Sequence, residues 1–277
     1  MKILNGNELA DFVKERQAWQ VRALRQAWKV LPRLAIVIAN DNPVINAYVG
    51  LKKAYGEDVL VEVDIHTVPQ SQVIETIEQL NNDPLVHGIV VQLPLADPAQ
   101  TDEVLAHISP EKDVDGLRGF DRPYHSATAT AIDWLLAGYN VPLKGREVAI
   151  VGMGRLVGAP LADLWKNSGI TLKTYDETAT DLQGSLRSAE VIITATGVPG
   201  LITSSMVAPG AVIVDAGTAS ENGQIVGDVA DDVRERQDVT MTPKKGGVGP
   251  LTVAALFDNV ITAARESIPT EDALEEE

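Results

Sequence analysis

The chain of 277 residues contains no cysteine, and aromatic residues make up only 4% of it. The lack of cysteine excludes disulfide bonds, thiolate nucleophiles and cysteine-ligated zinc, although it does not indicate a compartment. The four histidines form no obvious relay, and no metal site is predicted. No apolar run approaches the roughly 20 residues that span a bilayer, and the amino terminus lacks a signal-peptide core. We therefore expect a cytoplasmic protein.

Acidic residues outnumber basic ones, and the formal net charge is -16. Part of this excess lies in the tail 269–277, which is typical of a solvated or disordered end. Such a charge disfavours nucleic acid and anionic membranes as partners. The hydrophobic content of 45% is enough for two modest cores.

Apolar runs of strand length alternate with helix-like segments along the whole chain. The run at 33–40 is continuously apolar, which is typical of a strand buried on both faces of a parallel sheet. A second alternation begins near residue 129, after a turn-rich stretch at 113–130 that we interpret as a linker. The pattern predicts an α/β protein with two parallel sheets. The final helix, after Pro250, is expected to pack back on the first domain.

These observations give a predicted domain organisation. Residues 1–122 form an amino-terminal α/β domain, completed by the carboxy-terminal helix 251–268. Residues 123–250 form a second α/β domain, and residues 269–277 are an acidic tail.

A glycine-rich segment, "VGMGRLVGAP" at 151–160, lies between a predicted strand and a predicted helix. Gly152 would allow a sharp turn, Gly154 a close approach of backbone N–H groups to phosphates, and Gly158 tight helix–strand packing. The helix amino terminus adds partial positive charge. Because any α/β protein uses glycine in tight turns, the glycine spacing alone is weak evidence for a nucleotide site. The position of the segment between a strand and a helix strengthens that evidence. Met153 and Val157 complete the predicted cofactor-binding turn.

Asp176 ends the next predicted strand, and Glu177 follows it. A carboxylate there accepts hydrogen bonds from ribose hydroxyls and repels the 2′-phosphate of NADP, although a solvated acid at a strand end is the alternative. Two later strands end in small residues, where the backbone can approach a cofactor. These residues are Thr196, Gly197, Gly217 and Thr218.

Four further segments together resemble the signatures of the methylenetetrahydrofolate dehydrogenase/cyclohydrolase family. They are "AYVGLKKA" at 47–54, "VVQLPL" at 90–95, "SPEKDVDGL" at 109–117 and "TPKKGGVGPLTVAAL" at 242–256. The resemblance implies that residues 1–122, with helix 251–268, form an α/β substrate domain and that residues 123–250 form a Rossmann-like NAD(P)-binding domain, with the two domains around a cleft. The resemblance also implies a homodimer. It also implies oxidation of 5,10-methylenetetrahydrofolate with NAD(P), then hydrolysis to 10-formyltetrahydrofolate, within one-carbon metabolism and purine biosynthesis.

The resemblance also assigns site residues. Lys52 matches the family's general acid/base, and Gln92 matches the glutamine that hydrogen-bonds it. Asp115 matches the aspartate that binds the pterin, and Tyr48 would contact the folate ring system. The spacing of Tyr48 and Lys52 places both on one helix face, while Lys53 is expected to face solvent. Gly247 and Pro250 belong to a segment that, by the resemblance, closely contacts the substrate.

Three positions depart from the family pattern. Met153 replaces the arginine associated with the 2′-phosphate of NADP, and Asp176-Glu177 replaces a His-Ser pair. Both changes favour NAD as the cofactor, with NADP as the less favoured alternative. The segment 126–131, "SATATA", has lost two prolines and a glycine of the family's linker, so a differently shaped loop is expected.

Three alternative functions stay open from the sequence. The chain could be an enzyme of the same family that retains mainly one half-reaction. It could also be a catalytically silent folate- or nucleotide-binding paralogue. An unrelated amino-acid or hydroxy-acid dehydrogenase would share only the nucleotide fold, which would not explain the motifs of the first domain.

Overall fold

A computed structural model describes residues 2–40, 42–119, 123–166, 168–221 and 224–269. The chain divides into two compact units. The six-stranded unit comprises Met1–Ala10 and Thr128–Thr252, and the three-stranded unit comprises Asp11–Ala127 and Val253–Glu277. The change of unit thus falls five residues later than the predicted boundary after residue 122, and residues 1–10 belong with the later part of the chain.

Strands and helices alternate in both units. The strands are β1 Lys2–Ile3, β2 Arg33–Ile38, β3 Glu62–Thr67, β4 Gly88–Gln92, β5 Glu147–Val151, β6 Thr171–Tyr175, β7 Val191–Thr194, β8 Val212–Asp215, β9 Ala219–Glu221, β10 Gln224–Val226 and β11 Thr240–Met241. The α-helices are α1 Gly6–Ala23, α2 Pro43–Val59, α3 Val73–Asn82, α4 Thr101–Ala106, α5 Ala127–Gly138, α6 Gly158–Trp165, α7 Leu182–Leu186, α8 Asp231–Arg234 and α9 Val248–Glu266.

The three-stranded unit has a parallel sheet in the order β3-β2-β4. β2 lies in the centre, and Leu34–Ile38 is buried, as the continuous apolar run predicts. α3 and α4 cover β2 and β4 with apolar side chains such as Ile77 and Leu105. The chain moves from β2 to β3 on one side and then to β4 on the other, so the winding reverses beside β2.

The six-stranded unit has a parallel sheet in the order β1-β11-β8-β7-β5-β6. The central strands β5, β7 and β8 are almost fully buried. The short β1 joins this sheet by pairing with β11, which explains why the amino terminus belongs to this unit. Neither β1 nor β11 carries enough apolar residues to be recognised from the sequence.

The first helix leaves large apolar side chains in solvent, since Phe12 and Trp28 are 68% and 53% exposed. The helix also changes to a π-helical turn at Leu24–Trp28. The segment 126–131 is not a reshaped loop, because α5 begins at Ala127. With the prolines and glycine absent, these alanines and threonines are compatible with a regular helix.

From Val253 onward the carboxy-terminal helix α9 belongs to the three-stranded unit, as predicted. Gln17 of α1 is fully buried, and its Nε2 donates to the Ala254 carbonyl of α9 at 2.8 Å. Tyr55 of α2 donates its hydroxyl to Gln17 Oε1, also at 2.8 Å. The Tyr55 ring packs against Phe257. One buried amide therefore links three helices of the three-stranded unit. Among the described helices, none combines the length and the apolar character that crossing a bilayer requires.

Tyr55→Phe is expected to lower the free energy of unfolding by about 1–2 kcal/mol, because Gln17 Oε1 would be buried without its donor. Urea denaturation measures this loss. The double variant Gln17→Leu/Tyr55→Phe should lose less than the sum of the two single variants, because both partners are then removed. Strict additivity would contradict the proposed link.

Candidate active site

The amine of Lys52 and the amide of Gln92 meet in the three-stranded unit. Lys52 lies on α2, which follows β2, and Gln92 is the last residue of β4. Lys52 Nζ donates to Gln92 Oε1 at 3.0 Å. Gln92 Nε2 donates to its neighbouring Leu93 carbonyl at 3.2 Å, and this second bond orients the amide so that its oxygen faces the amine. β2 and β4 are hydrogen-bonded neighbours, which brings two residues distant in sequence together.

Asp115 supplies an electrostatic partner for Lys52. Burial lowers the pKa of Lys52, whereas the negative charge of Asp115 opposes this shift. Burial raises the pKa of Asp115, and Lys52 opposes that shift. Both side chains keep some exposure. The site therefore holds an amine that deprotonates more readily than usual and that remains accessible to a small molecule.

The loop that carries Asp115 is fastened on both sides. Asp113 is buried and accepts hydrogen bonds from the backbone N–H groups of Leu117 and Arg118. Asn259 of α9 donates its side-chain amide to the carbonyl of Val114 at 2.8 Å. Lys112 Nζ caps the end of α3 by donating at 2.7 to 2.9 Å to three carbonyls, those of Leu80, Asn81 and Asp83. These bonds fix the backbone on either side of Asp115.

Tyr48 lies one helical turn before Lys52 and is partly buried, which raises the pKa of its hydroxyl. The next residue after Lys52 on α2, Lys53, is exposed. Lys52 and Lys53 therefore provide a matched pair of adjacent lysines, one in the site and one in solvent.

The glycine-rich turn lies in the six-stranded unit, between β5 and α6. Gly152 has a φ of +91°, and its N–H donates to the Tyr175 carbonyl at 2.7 Å. A Cβ at Gly152 would lie 2.6 Å from the Ala195 carbonyl oxygen, and one at Gly158 would collide with the Gly152 carbonyl. A Cβ at Gly154 would meet no neighbour. Two glycines thus shape the turn, and the third leaves its backbone open to a ligand.

The amino terminus of α6 fits a phosphate group. The residue before it, Val157, provides no side-chain cap. The first-turn N–H groups of such a helix, together with its dipole, favour an anion. Met153 does not extend over this turn as a charged group would, because its side chain packs against the apolar core of the unit.

Asp176 lies directly after β6, beside the glycine turn. The register pairs Val151 with Tyr175, so the residues that follow them are neighbours at the edge of the sheet. Asp176 Oδ1 accepts hydrogen bonds from the Thr178 hydroxyl at 2.6 Å and from its N–H at 2.9 Å. These bonds hold the pKa of Asp176 below its usual range. Asp176 and Glu177 are both exposed, so the edge presents two carboxylates.

The sheet reverses its winding at β5, because β6 lies on one side of it and β7 on the other. In open parallel sheets, ligands bind in the crevice at such a switch point, outside the carboxyl ends of the strands. Four predicted cofactor residues follow β7 and β8 here, namely Thr196, Gly197, Gly217 and Thr218. The described residues of this edge therefore fit a dinucleotide.

Residues 242–247 form a loop that leads into α9, which begins at Val248. Gly246 has a φ of +80°, and its carbonyl accepts a hydrogen bond from Gly6 N at 2.8 Å. A Cβ on Gly6 would collide with the Gly247 carbonyl. Gly247 is buried and Pro250 is partly exposed in the first turn of α9. Glycine at position 6 is thus required to support this loop, a role that sequence reasoning did not identify.

Sequence reasoning also missed two buried aspartates of the six-stranded unit. Asp215 ends β8, and Asp228 follows β10. Asp228 accepts hydrogen bonds from the Thr194 hydroxyl at 2.6 Å and from Thr196 N at 2.7 Å. The only sequence signal was an aspartate within two residues of a glycine in each of two apolar segments, "VDAG" and "VGDV".

Two family models match the chain. One is described as the catalytic domain of tetrahydrofolate dehydrogenase/cyclohydrolase and matches residues 4–115. The other is the NAD(P)-binding domain of the same family and matches residues 126–268. A curated relative named bifunctional protein FolD, from a Sulfurovum species, is 33% identical over 279 residues, which covers 96% of this chain and 99% of the relative.

Solved structures agree with this comparison. The bifunctional FolD dehydrogenase/cyclohydrolase of Campylobacter jejuni superposes with a TM-score of 0.90 at 32% identity, covering 96% of this chain and 99% of that one. The methylenetetrahydrofolate dehydrogenase-cyclohydrolase of Trypanosoma brucei, solved with NADP and an inhibitor, gives 0.89 at 28% identity, covering 97% and 98%.

Asp115→Asn is expected to lower the pKa of Lys52 further, because the negative charge that opposes the effect of burial is removed. Nuclear magnetic resonance titration of ¹³C-dimethylated lysines in both proteins measures the change, with Lys52→Met used to assign the signal. An unchanged or higher Lys52 pKa in the variant would contradict the electrostatic coupling.

Proposed function

Because the chain belongs to the tetrahydrofolate dehydrogenase/cyclohydrolase family, we propose that it oxidises 5,10-methylenetetrahydrofolate with NAD and hydrolyses the product to 10-formyltetrahydrofolate. The observation that carries the proposal is the hydrogen bond between Lys52 and Gln92 beside Asp115. This arrangement supports an acid/base role of Lys52 in the hydrolysis.

Lys52 is proposed as the acid/base of the hydrolysis. Water adds to the positively charged methenyl carbon, and neutral Nζ accepts a proton from it. As the carbon–nitrogen bond breaks, the leaving ring nitrogen takes up a proton and the formyl group forms; one proton is released overall. A lysine with an unshifted pKa near 10.4 would seldom be neutral at pH 7, so the lowered pKa of Lys52 favours this role. Gln92 orients the amine.

The oxidation needs orientation rather than a base, because a hydride leaves the methylene carbon and no proton leaves with it. A nicotinamide cofactor held at the glycine turn 152–158 would supply the hydride acceptor. On this chain, Asp115 would accept hydrogen bonds from the pterin N–H groups, and Tyr48 would contact the ring system. Gly247 and Pro250 are proposed as further substrate contacts.

NAD is proposed as the preferred cofactor. Gly152, Gly154 and Gly158 would accommodate the pyrophosphate, and Asp176 would accept hydrogen bonds from the ribose hydroxyls. A 2′-phosphate at that edge would meet two exposed carboxylates, Asp176 and Glu177, and no basic side chain at position 153. The Trypanosoma brucei relative was solved with NADP, so this edge is where the two proteins are proposed to differ.

Two finer predictions rest on the family resemblance, a homodimer and a contribution to purine biosynthesis. The cytoplasmic location stays an expectation from the sequence. The silent-paralogue alternative is disfavoured by the assembled Lys52–Gln92 pair, which a protein that only binds folate would not require.

Lys52→Met is expected to reduce methenyltetrahydrofolate hydrolysis by about 10²-fold or more, because no other amine replaces the acid/base. The decay of the methenyl absorbance measures the rate. Lys53→Met is the matched control and should retain it, because Lys53 is exposed. Equal rates in the two variants would remove the role assigned to Lys52.

The ratio of kcat/KM for NAD to that for NADP is expected to exceed about 10, and Asp176→Ser should lower the ratio by about tenfold. Initial-rate assays with both cofactors measure it. Glu190→Gln is the control, because Glu190 precedes β7 and thus lies at the opposite edge of the same sheet. A preference for NADP in the unaltered protein would contradict the proposal.

A further inference from the structure

Two buried aspartates face two glycines in the six-stranded unit. A Cβ on Gly217 would collide with the Asp228 carboxylate, and a Cβ on Gly227 would collide with the Asp215 carboxylate. Asp215 is the last residue of β8, and Gly217 lies two residues after it. Gly227 and Asp228 directly follow β10. Each segment therefore supplies one carboxylate and one glycine, and the two segments interlock. We call these four residues the Asp-Gly clasp.

Asp228 connects this clasp to the end of β7. The residue is fully buried, and its Oδ2 accepts hydrogen bonds from the Thr194 hydroxyl at 2.6 Å and from Thr196 N at 2.7 Å. Val198 N in turn donates to the Thr196 hydroxyl at 3.1 Å. A single carboxylate oxygen thus fixes the backbone that turns out of β7 at the carboxyl edge.

Asp215 connects the clasp to the end of β11. Its side chain is 4% exposed and pairs with Arg234 at 2.6 Å. It also accepts hydrogen bonds from Asp228 N at 3.0 Å and Gly217 N at 3.2 Å. Its own N–H donates to the Thr242 hydroxyl at 2.9 Å. One buried hydrogen-bond network therefore holds the chain where it leaves β7, β8 and β11, at one edge of the sheet.

We propose that Asp228 is a positioning residue for the dinucleotide, because it holds the turns at 194–197 and 215–218 in the geometry that receives the nicotinamide half. The inference rests on the proposed function, which places a dinucleotide at this edge. Small residues at these turns contribute backbone groups rather than side chains to a ligand, so their binding depends on how firmly the backbone is held. Asp228 itself is too deeply buried to contact a ligand.

The two oxygens of Asp228 have different surroundings, and this difference suggests an informative variant. Oδ2 accepts both hydrogen bonds, whereas Oδ1 lies against Gly217 and finds no hydrogen-bond partner among the residues that the structure describes. In Asp228→Asn the amide oxygen can occupy the Oδ2 position and accept both bonds, with nearly unchanged shape. Asp228→Ala removes both. The pair of variants therefore separates hydrogen bonding at Oδ2 from charge.

The test compares Asp228→Ala, Asp228→Asn and the control Asp232→Asn, in the full chain. Asp232 lies in the same segment but is exposed, and it accepts one hydrogen bond from Ser204 N. Calorimetric titration with NAD gives the dissociation constant, and assays give KM for NAD and the hydrolysis rate. We expect Asp228→Ala to raise Kd and KM for NAD about tenfold or more. Asp228→Asn and Asp232→Asn should stay within about threefold of the unaltered protein.

Hydrolysis of methenyltetrahydrofolate without nucleotide should change less than about twofold in every variant, because Lys52 and Gln92 belong to the three-stranded unit. An unchanged Kd for NAD in Asp228→Ala, with only a lower Tm, would overturn the positioning role. So would a parallel loss of NAD binding and hydrolysis, or an Asp228→Asn variant as weak as Asp228→Ala. If the unaltered protein binds NAD without oxidising the folate, the proposed function fails, and the Kd comparison still decides this inference.

Discussion

Parallel pairing brings the carboxyl ends of neighbouring strands to one edge of a sheet, and both candidate sites depend on this constraint. In the three-stranded unit, pairing of β2 with β4 places Gln92 within hydrogen-bonding distance of Lys52 on the helix after β2. In the six-stranded unit, pairing of β5 with β6 places Asp176 beside the glycine turn. Each sheet reverses its winding at its first long strand, so a crevice forms where the chain diverges.

The chemistry of Lys52 reflects a balance between burial and a nearby charge. Burial alone favours the neutral amine, whereas Asp115 favours the ammonium. In the proposed hydrolysis Lys52 accepts and returns a proton, and the two opposed effects on its pKa suit that exchange. The hydrogen bonds around Asp113, Lys112 and Asn259 matter for the same reason, since a moved Asp115 would change the pKa of the amine.

In the six-stranded unit the structural requirement is to hold loops that carry few bulky side chains. A dinucleotide site built largely from backbone N–H and carbonyl groups requires loops without bulky side chains, and such loops have little packing of their own. The buried carboxylates of Asp215 and Asp228 replace that missing packing with hydrogen bonds. Glycines at 217 and 227 are then needed to let the carboxylates approach the backbone.

The sequence by itself determined the alternation of strands and helices, since a buried strand such as Leu34–Ile38 must be apolar throughout. It also determined the glycines at 152 and 158, where the φ of +91° at Gly152 and the contact of Gly158 with the Gly152 carbonyl are local requirements, and the family motifs that name Lys52 and Gln92. The close approach of Gly152 to the Ala195 carbonyl comes from the fold. Only the tertiary structure decided what meets across distance. The tertiary structure pairs β1 with β11 in one sheet, although both strands are too short to show a period in the sequence. It also makes 127–131 helical instead of a loop.

The tertiary structure also decided the environment of charged groups, because burial and Coulomb interactions depend on neighbours from other elements. Asp228 is the clearest case. From the sequence alone Asp228 resembles an ordinary surface acid, yet folding buries it completely and gives it Thr194 and Thr196 as hydrogen-bond partners. Local sequence can specify where the chain turns, whereas the hydrogen bonds that hold those turns come from segments that only the fold brings together.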